Sequence, residues 1–301
     1  MLGSVIGGEA PAMDRLETQG PISGEVCQRV AVDTDEEPLH GGWQTDVSRR
    51  GDVVFRQAGP QSATVIELLQ HLTDEGFDAA PRPVDGGFAP DGREQLSFIE
   101  GESPHPLAWT AESLWQIGRH VANLHRITSQ FAPERPSWRP WFARSLPGRM
   151  PVIGHGDLGP WNIIAKDDLP VAFIDWDNAG PVDALWELAQ VVWLNAHLHD
   201  DDVAVLNQLA PPVDRARHAA IILDGYGLAK ADRKGFVDKM IEFAIRSARD
   251  EAISSHIGPE TASPSPNGFP LLWAVTWRAR SAAWMLDHRV VLQSEVERSG
   301  R

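Results

Sequence analysis

Cysteine is nearly absent from the 301-residue chain, where Cys27 stands alone. A single thiol excludes an internal disulfide and any zinc site built on cysteine pairs, and it fits a reducing, cytoplasmic setting. Long apolar runs are missing too. Stretches such as "LLWAVTW" (271–277) fall far short of the roughly 18 residues a membrane-crossing helix needs. Basic charge is scarce: 27 Lys and Arg stand against 42 Asp and Glu, and the formal net charge is −15. That balance repels nucleic acid and anionic membranes, so neither is expected as a partner. A secretion signal is lacking as well. "APA" at 10–12 resembles a cleavage site, but Arg15 is the first basic residue and "LGSVIGG" is a poor apolar core. Met13 is an alternative start, which makes the first dozen residues dispensable. What remains is a globular composition, 42% hydrophobic and 23% charged, with length enough for a full core.

Residues 1–24 read as a loose tail. A strand-rich piece follows over 25–101, with strands in "VCQRVAV" (26–32), on both sides of a Gly51-Asp52 turn, and in "EQLSFIEG" (94–101). Its one helix, 62–76, has Ser62 as the expected N-cap, Val65, Leu68, Leu69 and Leu72 on one face, and Gly76 as the stop. From 102 to 301 the chain is mainly helical, with patterns at 110–127, 183–198, 214–224, 232–253 and 269–290. Prolines forbid a long helix over 130–151, and "NIIAKDDLPVAFID" (162–175) reads as a hairpin. The layout is α+β, and a cleft between unequal pieces is the expected ligand site.

Two polar clusters bracket that hairpin. One is His155-Gly156-Asp157 with Asn162; the other is "FIDWD", carrying Asp175 and Asp177. Oxygen donors at strand ends suit a hard cation such as Mg²⁺, which shares its remaining positions with water and phosphate. Asp and Asn are also turn residues, so "GDLGPWN" by itself reads equally as a loop. The joint pattern carries more: Asp157 to Asn162 is the D-x-x-x-x-N spacing of phosphoryl transfer, and an Asp follows a short hairpin later.

"HGDLGPWNII…VAFIDWD…PVDALWELA" resembles the aminoglycoside phosphotransferase family, small-molecule kinases with a protein-kinase-like, two-lobed fold. The resemblance implies a small β-rich N-lobe, a larger helical C-lobe, and ATP or GTP with Mg²⁺ as cofactors. It makes Asp157 the catalytic aspartate that orients the attacking hydroxyl, and Asn162 and Asp175 the metal ligands. Asp177 is either a partner to those ligands or solvent-facing, and Asp183 lies under the catalytic loop, where it also suits a helix cap. His155 is expected to brace the loop.

The nucleotide phosphates then fall to the N-lobe, through Gly41-Gly42, Arg56 in "DVVFRQ", and Glu67 as the partner of Arg56. Arginine at the usual lysine position chelates phosphate by a bidentate fork, and an altered nucleotide preference is one consequence; a surface residue on an edge strand is the other reading. Only "NAGPV" separates Asp177 from Asp183. No activation loop fits there, so a small hydroxylated acceptor is expected rather than a peptide. The acidic balance suggests a cationic acceptor such as an aminoglycoside-like antibiotic, met by Glu187, Asp224 or "LHDDD" (198–202). Trp138, Trp141 and Trp161 are candidates to stack on it, and Arg135, Arg139, Arg144 and Arg149 read as solvated or paired with acidic helices. A metabolic sugar, choline or amino-alcohol kinase and a catalytically silent kinase-like binder are the alternatives.

Overall fold

Two lobes of unequal size make up the computed structural model, which describes residues 36–39, 47–258 and 271–298. Gly41, Gly42 and the strand expected at 26–32 lie outside the described residues. The small lobe is an antiparallel sheet of five strands in the order β1-β2-β3-β5-β4. These are β1 (Glu37–Pro38), β2 (Val47–Arg50), β3 (Val53–Arg56), β4 (Pro83–Phe88) and β5 (Glu94–Ser97). Gly51 takes a left-handed φ of 58° at the expected β2–β3 turn. The register of β3 on β5 sets Arg56 opposite Glu94.

Helix α1 (Ser62–Asp74) buries Val65, Leu68, Leu69 and Leu72, as its spacing predicts, and Gly76 at φ 73° stops it. Its N-cap is Gln61, without a side-chain bond. Ser62 instead sits buried at the first helical position, because its hydroxyl accepts from the Gly59 amide at 2.8 Å and donates to the Glu94 carboxylate. Strand β4 was not legible because Gly86 and Gly87 at positive φ and a register shift break its alternation.

The large lobe begins with α2 (Ala111–Thr128), capped by Thr110, whose hydroxyl accepts from the Ser113 amide. It packs closely along α5 (Pro212–Tyr226): a methyl group at Gly118 would lie 2.2 Å from the Ile222 carbonyl, so only glycine allows that approach. Strand β6 (Pro151–Gly154) pairs with β9 (Gly180–Asp183), and β7 (Ile163–Lys166) pairs with β8 (Leu169–Phe173). Asp167 and Asp168, both at positive φ, make the two-residue turn of the second pair. Between them these ribbons hold the two polar clusters. Helix α3 (Ala184–Asn195) is buried on almost every side, the mark of a core helix. It packs against α7 (Phe236–Ser254), and α4 (Asp201–Leu206), α6 (Lys230–Arg233), α8 (Leu271–Asp287) and α9 (Arg289–Arg298) complete the lobe. Among the described residues no helix is long and apolar enough to cross a membrane.

Candidate active site

Strand β6 delivers the chain to His155, which is fully buried. Its Nε2 donates to the Ile174 carbonyl at 2.9 Å, and its Nδ1 accepts the Asp157 amide at 3.3 Å. Both bonds suit a neutral ring, and burial lowers its pKa. The histidine thus ties the loop to the end of β8. Gly156 takes φ 84°, and a Cβ there would strike the Asn178 carbonyl at 2.2 Å, so the loop's tight turn requires glycine.

Asp157 is fixed from both sides. Asn162 donates Nδ2 to its Oδ2 at 3.0 Å and to its carbonyl at 2.8 Å, and Trp161 Nε1 donates to the same carboxylate at 3.4 Å. A 3-10 turn over Pro160–Asn162, closed by the Asn162 amide on the Gly159 carbonyl at 3.0 Å, sets this geometry. Burial, and then the Asp175 charge, raise the Asp157 pKa to about 6. With its amide N–H groups turned to Asp157, Asn162 keeps Oδ1 for a metal. Asp175 adds a half-exposed carboxylate on a backbone held at φ 62°, a left-handed conformation that is uncommon outside glycine and concentrated at functional sites. Two hard oxygen donors suit a Mg²⁺ that takes its other ligands from phosphate and water. Among the described residues no cluster of three or more His, Cys, Asp or Glu forms a self-sufficient metal cage.

Arg56 reaches across the cleft to this cluster. Nη1 lies 3.4 Å from Asp175, Nη2 pairs with Asp177, and Nε lies 3.1 Å from Glu94. Burial works against its charge, but Asp177, Glu94 and Asp175 together raise its pKa. Asp177 is therefore a partner of Arg56 and not a solvent-facing residue. The expected pairing with Glu67 does not form. Glu67 is exposed, two positions from Val65 and so about 200° round the helix from the buried face. The carboxylate beside Arg56 is Glu94, 2% exposed and hydrogen-bonded by Ser62. No local signal marks Glu94 in the sequence; only the β3–β5 register brings it there. Glu94→Gln is expected to loosen Arg56 and raise the KM for nucleotide about tenfold, the scale of one charge-assisted contact. Steady-state kinetics at varied ATP check this, and an unchanged KM discards Glu94 as the anchor.

Below the loop, Asp183 caps α3 through the Leu185 amide at 3.1 Å and also accepts the Met150 amide at 2.8 Å. Of its two sequence readings, the helix cap is the one these bonds support. Glu187 is not available to an acceptor. It is 0% exposed, accepts the Gly156 amide at 2.7 Å, and bonds His125 Nε2 at 2.6 Å, while His125 Nδ1 meets Tyr226 Oη at 2.9 Å. Asp224 is likewise engaged, by Arg233 at 2.7 Å. Arg144 is half-buried and forms no ion pair with an acidic helix among the described residues. Its Nη2 donates to the Asn178 and Ala179 carbonyls at 3.1 and 3.0 Å, fastening the segment after Asp177.

The sequence profile of the phosphotransferase enzyme family matches residues 102–221, the stretch that holds every one of these loop residues. The chain is 49% identical over 261 residues to the trifolitoxin immunity protein of Rhizobium leguminosarum bv. trifolii, covering 86% of this chain and 98% of that protein. Its fold is similar to that of an amicoumacin kinase solved with AMP-PNP, Ca²⁺ and Ami (TM-score 0.58, 12% identity, 88% of this chain and 90% of that one). It is also similar to a choline kinase from Cryptosporidium parvum (TM-score 0.54, 11% identity, 88% and 94%). A near-complete match at that identity, joined to a profile that spans the loop from His155 to Asn162, places the chain in a family: it belongs to the phosphotransferase enzyme family.

Proposed function

We propose that the protein transfers the γ-phosphate of ATP or GTP to a hydroxyl group of a small molecule. The observation that carries this reading is the Asp157 carboxylate, clamped by Asn162 and Trp161 beside the oxygen pair of Asn162 and Asp175. The acceptor oxygen attacks the γ-phosphorus, the bridging β–γ P–O bond breaks, and its electrons leave on the nucleoside diphosphate. The hydroxyl proton passes to Asp157, whose pKa of about 6 leaves it ionised at neutral pH yet basic enough to take it. Asn162 Oδ1 and Asp175 would hold a Mg²⁺ ion, which would supply charge neutralisation to the phosphates. Arg56, anchored by Glu94, offers its guanidinium fork to phosphate oxygens. We take residues 25–101 as the nucleotide lobe and 102–301 as the catalytic lobe, working in the cytoplasm, where nucleotide and magnesium are supplied.

The toxin-immunity relative supports an antimicrobial acceptor that phosphorylation inactivates. A cationic acceptor rests on the net charge of −15, and of the carboxylates named for it Glu187 is buried, while Asp224 pairs with Arg233 and Asp200 and Asp202 with Arg280. Thermal melting with Mg-ATP, Mg-GTP and an EDTA control tests the cofactor claim: a rise of several degrees that EDTA reverses is expected. No shift with either nucleotide favours a catalytically silent binder. Release of nucleoside diphosphate against a panel of hydroxylated antibiotics, sugars and amino alcohols then sorts resistance from metabolism.

A further inference from the structure

Helix α1 presents a stripe of side chains that the cleft does not use. Glu67, His71 and Asp74, at the spacing of one helical face, line a cavity of about 660 Å³. Its other walls come from strand β4, with Phe88, and from the segment after α2, with Phe131. The volume falls within the roughly 300–1,000 Å³ of small-molecule sites. Arg56, Glu94, Asp157 and Asp175 are not part of the lining, so this space is separate from the catalytic cluster.

The lining holds several groups without partners. Glu67, expected from helix spacing to meet Arg56, is exposed and makes neither a hydrogen bond nor an ion pair among the described residues. Phe88 is 37% exposed, and Phe131 is half-buried with its ring 5.1 Å from that of His71. Nε2 of His71 is buried with no hydrogen-bond partner, although such atoms are ordinarily satisfied. The charge is one-sided. Glu67 and Asp74 face the cavity with no lysine or arginine beside them, and the partner of Asp74 is the neutral Gln70 amide at 2.8 Å. Aromatic faces beside uncompensated carboxylates attract a cation through the ring quadrupole and through charge together.

The cavity also spans the joint between the lobes. α1 and β4 belong to the small lobe, while Phe131 lies on a strap of the large lobe whose Ser137 amide donates to Thr64 Oγ1 of α1 at 2.8 Å. The same helix reaches the cleft. Ser62, in its first turn, bonds Glu94, the anchor of Arg56, and α1 packs against the 3-10 turn Trp176–Asn178 that carries Asp177. A ligand that bridges α1, β4 and the strap therefore steadies the helix that sets Arg56.

We propose that this cavity binds a small organic cation, an amine or amidine on an aromatic body, and that its occupancy tightens nucleotide binding in the cleft. The coupling rests on the phosphotransferase reading; the binding does not.

Tryptamine, its uncharged N-acetyl derivative and the anion indole-3-propionate serve as probes, with binding to the full chain measured calorimetrically. Tryptamine is expected to bind about tenfold tighter than N-acetyltryptamine, the combined worth of an exposed ion pair and a cation–π contact. Indole-3-propionate, repelled by both carboxylates, should bind most weakly. Glu67→Lys is expected to abolish the preference for the cation, and Ala63→Trp, which fills the cavity from an exposed helix position, to block tryptamine. Saturating tryptamine should lower the Kd of Mg-AMP-PNP about fivefold, and Mg-AMP-PNP should lower that of tryptamine by the same factor, as linkage requires. Equal binding of the three indoles, tryptamine binding that survives both substitutions, or a Kd of Mg-AMP-PNP indifferent to tryptamine overturns the proposal. If Mg-AMP-PNP binds neither with tryptamine nor without it, the phosphotransferase reading falls and the coupling with it. The indole series still decides whether the cavity takes the cation.

Discussion

Replacing Asp157 with Asn lowers turnover by at least about 100-fold, the usual worth of a positioned proton acceptor, and at the same time stabilises the ligand-free protein near neutral pH. The two effects share one cause. Burial and the Asp175 charge lift the carboxyl from its ordinary 3.8 to about 6. Between those values the native state holds a proton that the unfolded chain has released. Stability therefore falls as pH rises from about 4 to about 6, and the penalty persists above that window. Asparagine keeps the shape and an oxygen for Asn162 and Trp161 but carries no charge to desolvate. The gain expected at pH 7.5 is on the order of 2 kcal/mol, discounted because the side chain keeps some solvent contact. Melting curves of both proteins at pH 4 and pH 7.5 check it: the difference should be near zero at the lower pH and open at the higher. Turnover within tenfold of wild type removes Asp157 from the reaction. A stability difference that ignores pH removes the electrostatic account.

Glu187→Ala is expected to be the most damaging single change below the catalytic loop, costing about 3–5 kcal/mol, the usual result of deleting one member of a buried, hydrogen-bonded charge network. It strands the Gly156 amide and His125 together in a site with no water contact. Released, the loop loses the geometry that sets Asp157 against Asn162, so turnover falls with stability. Glu187→Gln keeps an acceptor for Gly156 and should cost much less. Chemical denaturation of the three proteins, read with their turnover, decides the matter. Equal stability of the alanine and glutamine variants would show that packing, and not the bond to the loop, holds Glu187 in place.

The parts of this protein set by neighbours in sequence were legible without coordinates. The hairpin over 162–175, the Thr110 cap, the Gly51-Asp52 turn and the apolar face of α1 all depend on residues within a few positions of each other. The Asp157–Asn162 step belongs with them, because one 3-10 turn closes it. Strands β4, β6 and β9 escaped because glycine and proline blur their alternation and their pairing partners lie far along the chain.

By itself, then, the sequence determined the fold class, the turn that joins Asp157 to Asn162 and the hairpin that leads to Asp175, since short-range geometry dictates each. What each charge faces was decided only by the tertiary structure. Glu94 rather than Glu67 holds Arg56 because strand register, not helix spacing, brings it within 3.1 Å. Glu187 supports the loop from below instead of meeting an acceptor, and Arg56 meets Asp175 from 119 residues away along the chain. A carboxylate's partner is chosen by distance in space and by the cost of leaving it unpaired in a dry interior, and neither is written in the residues beside it.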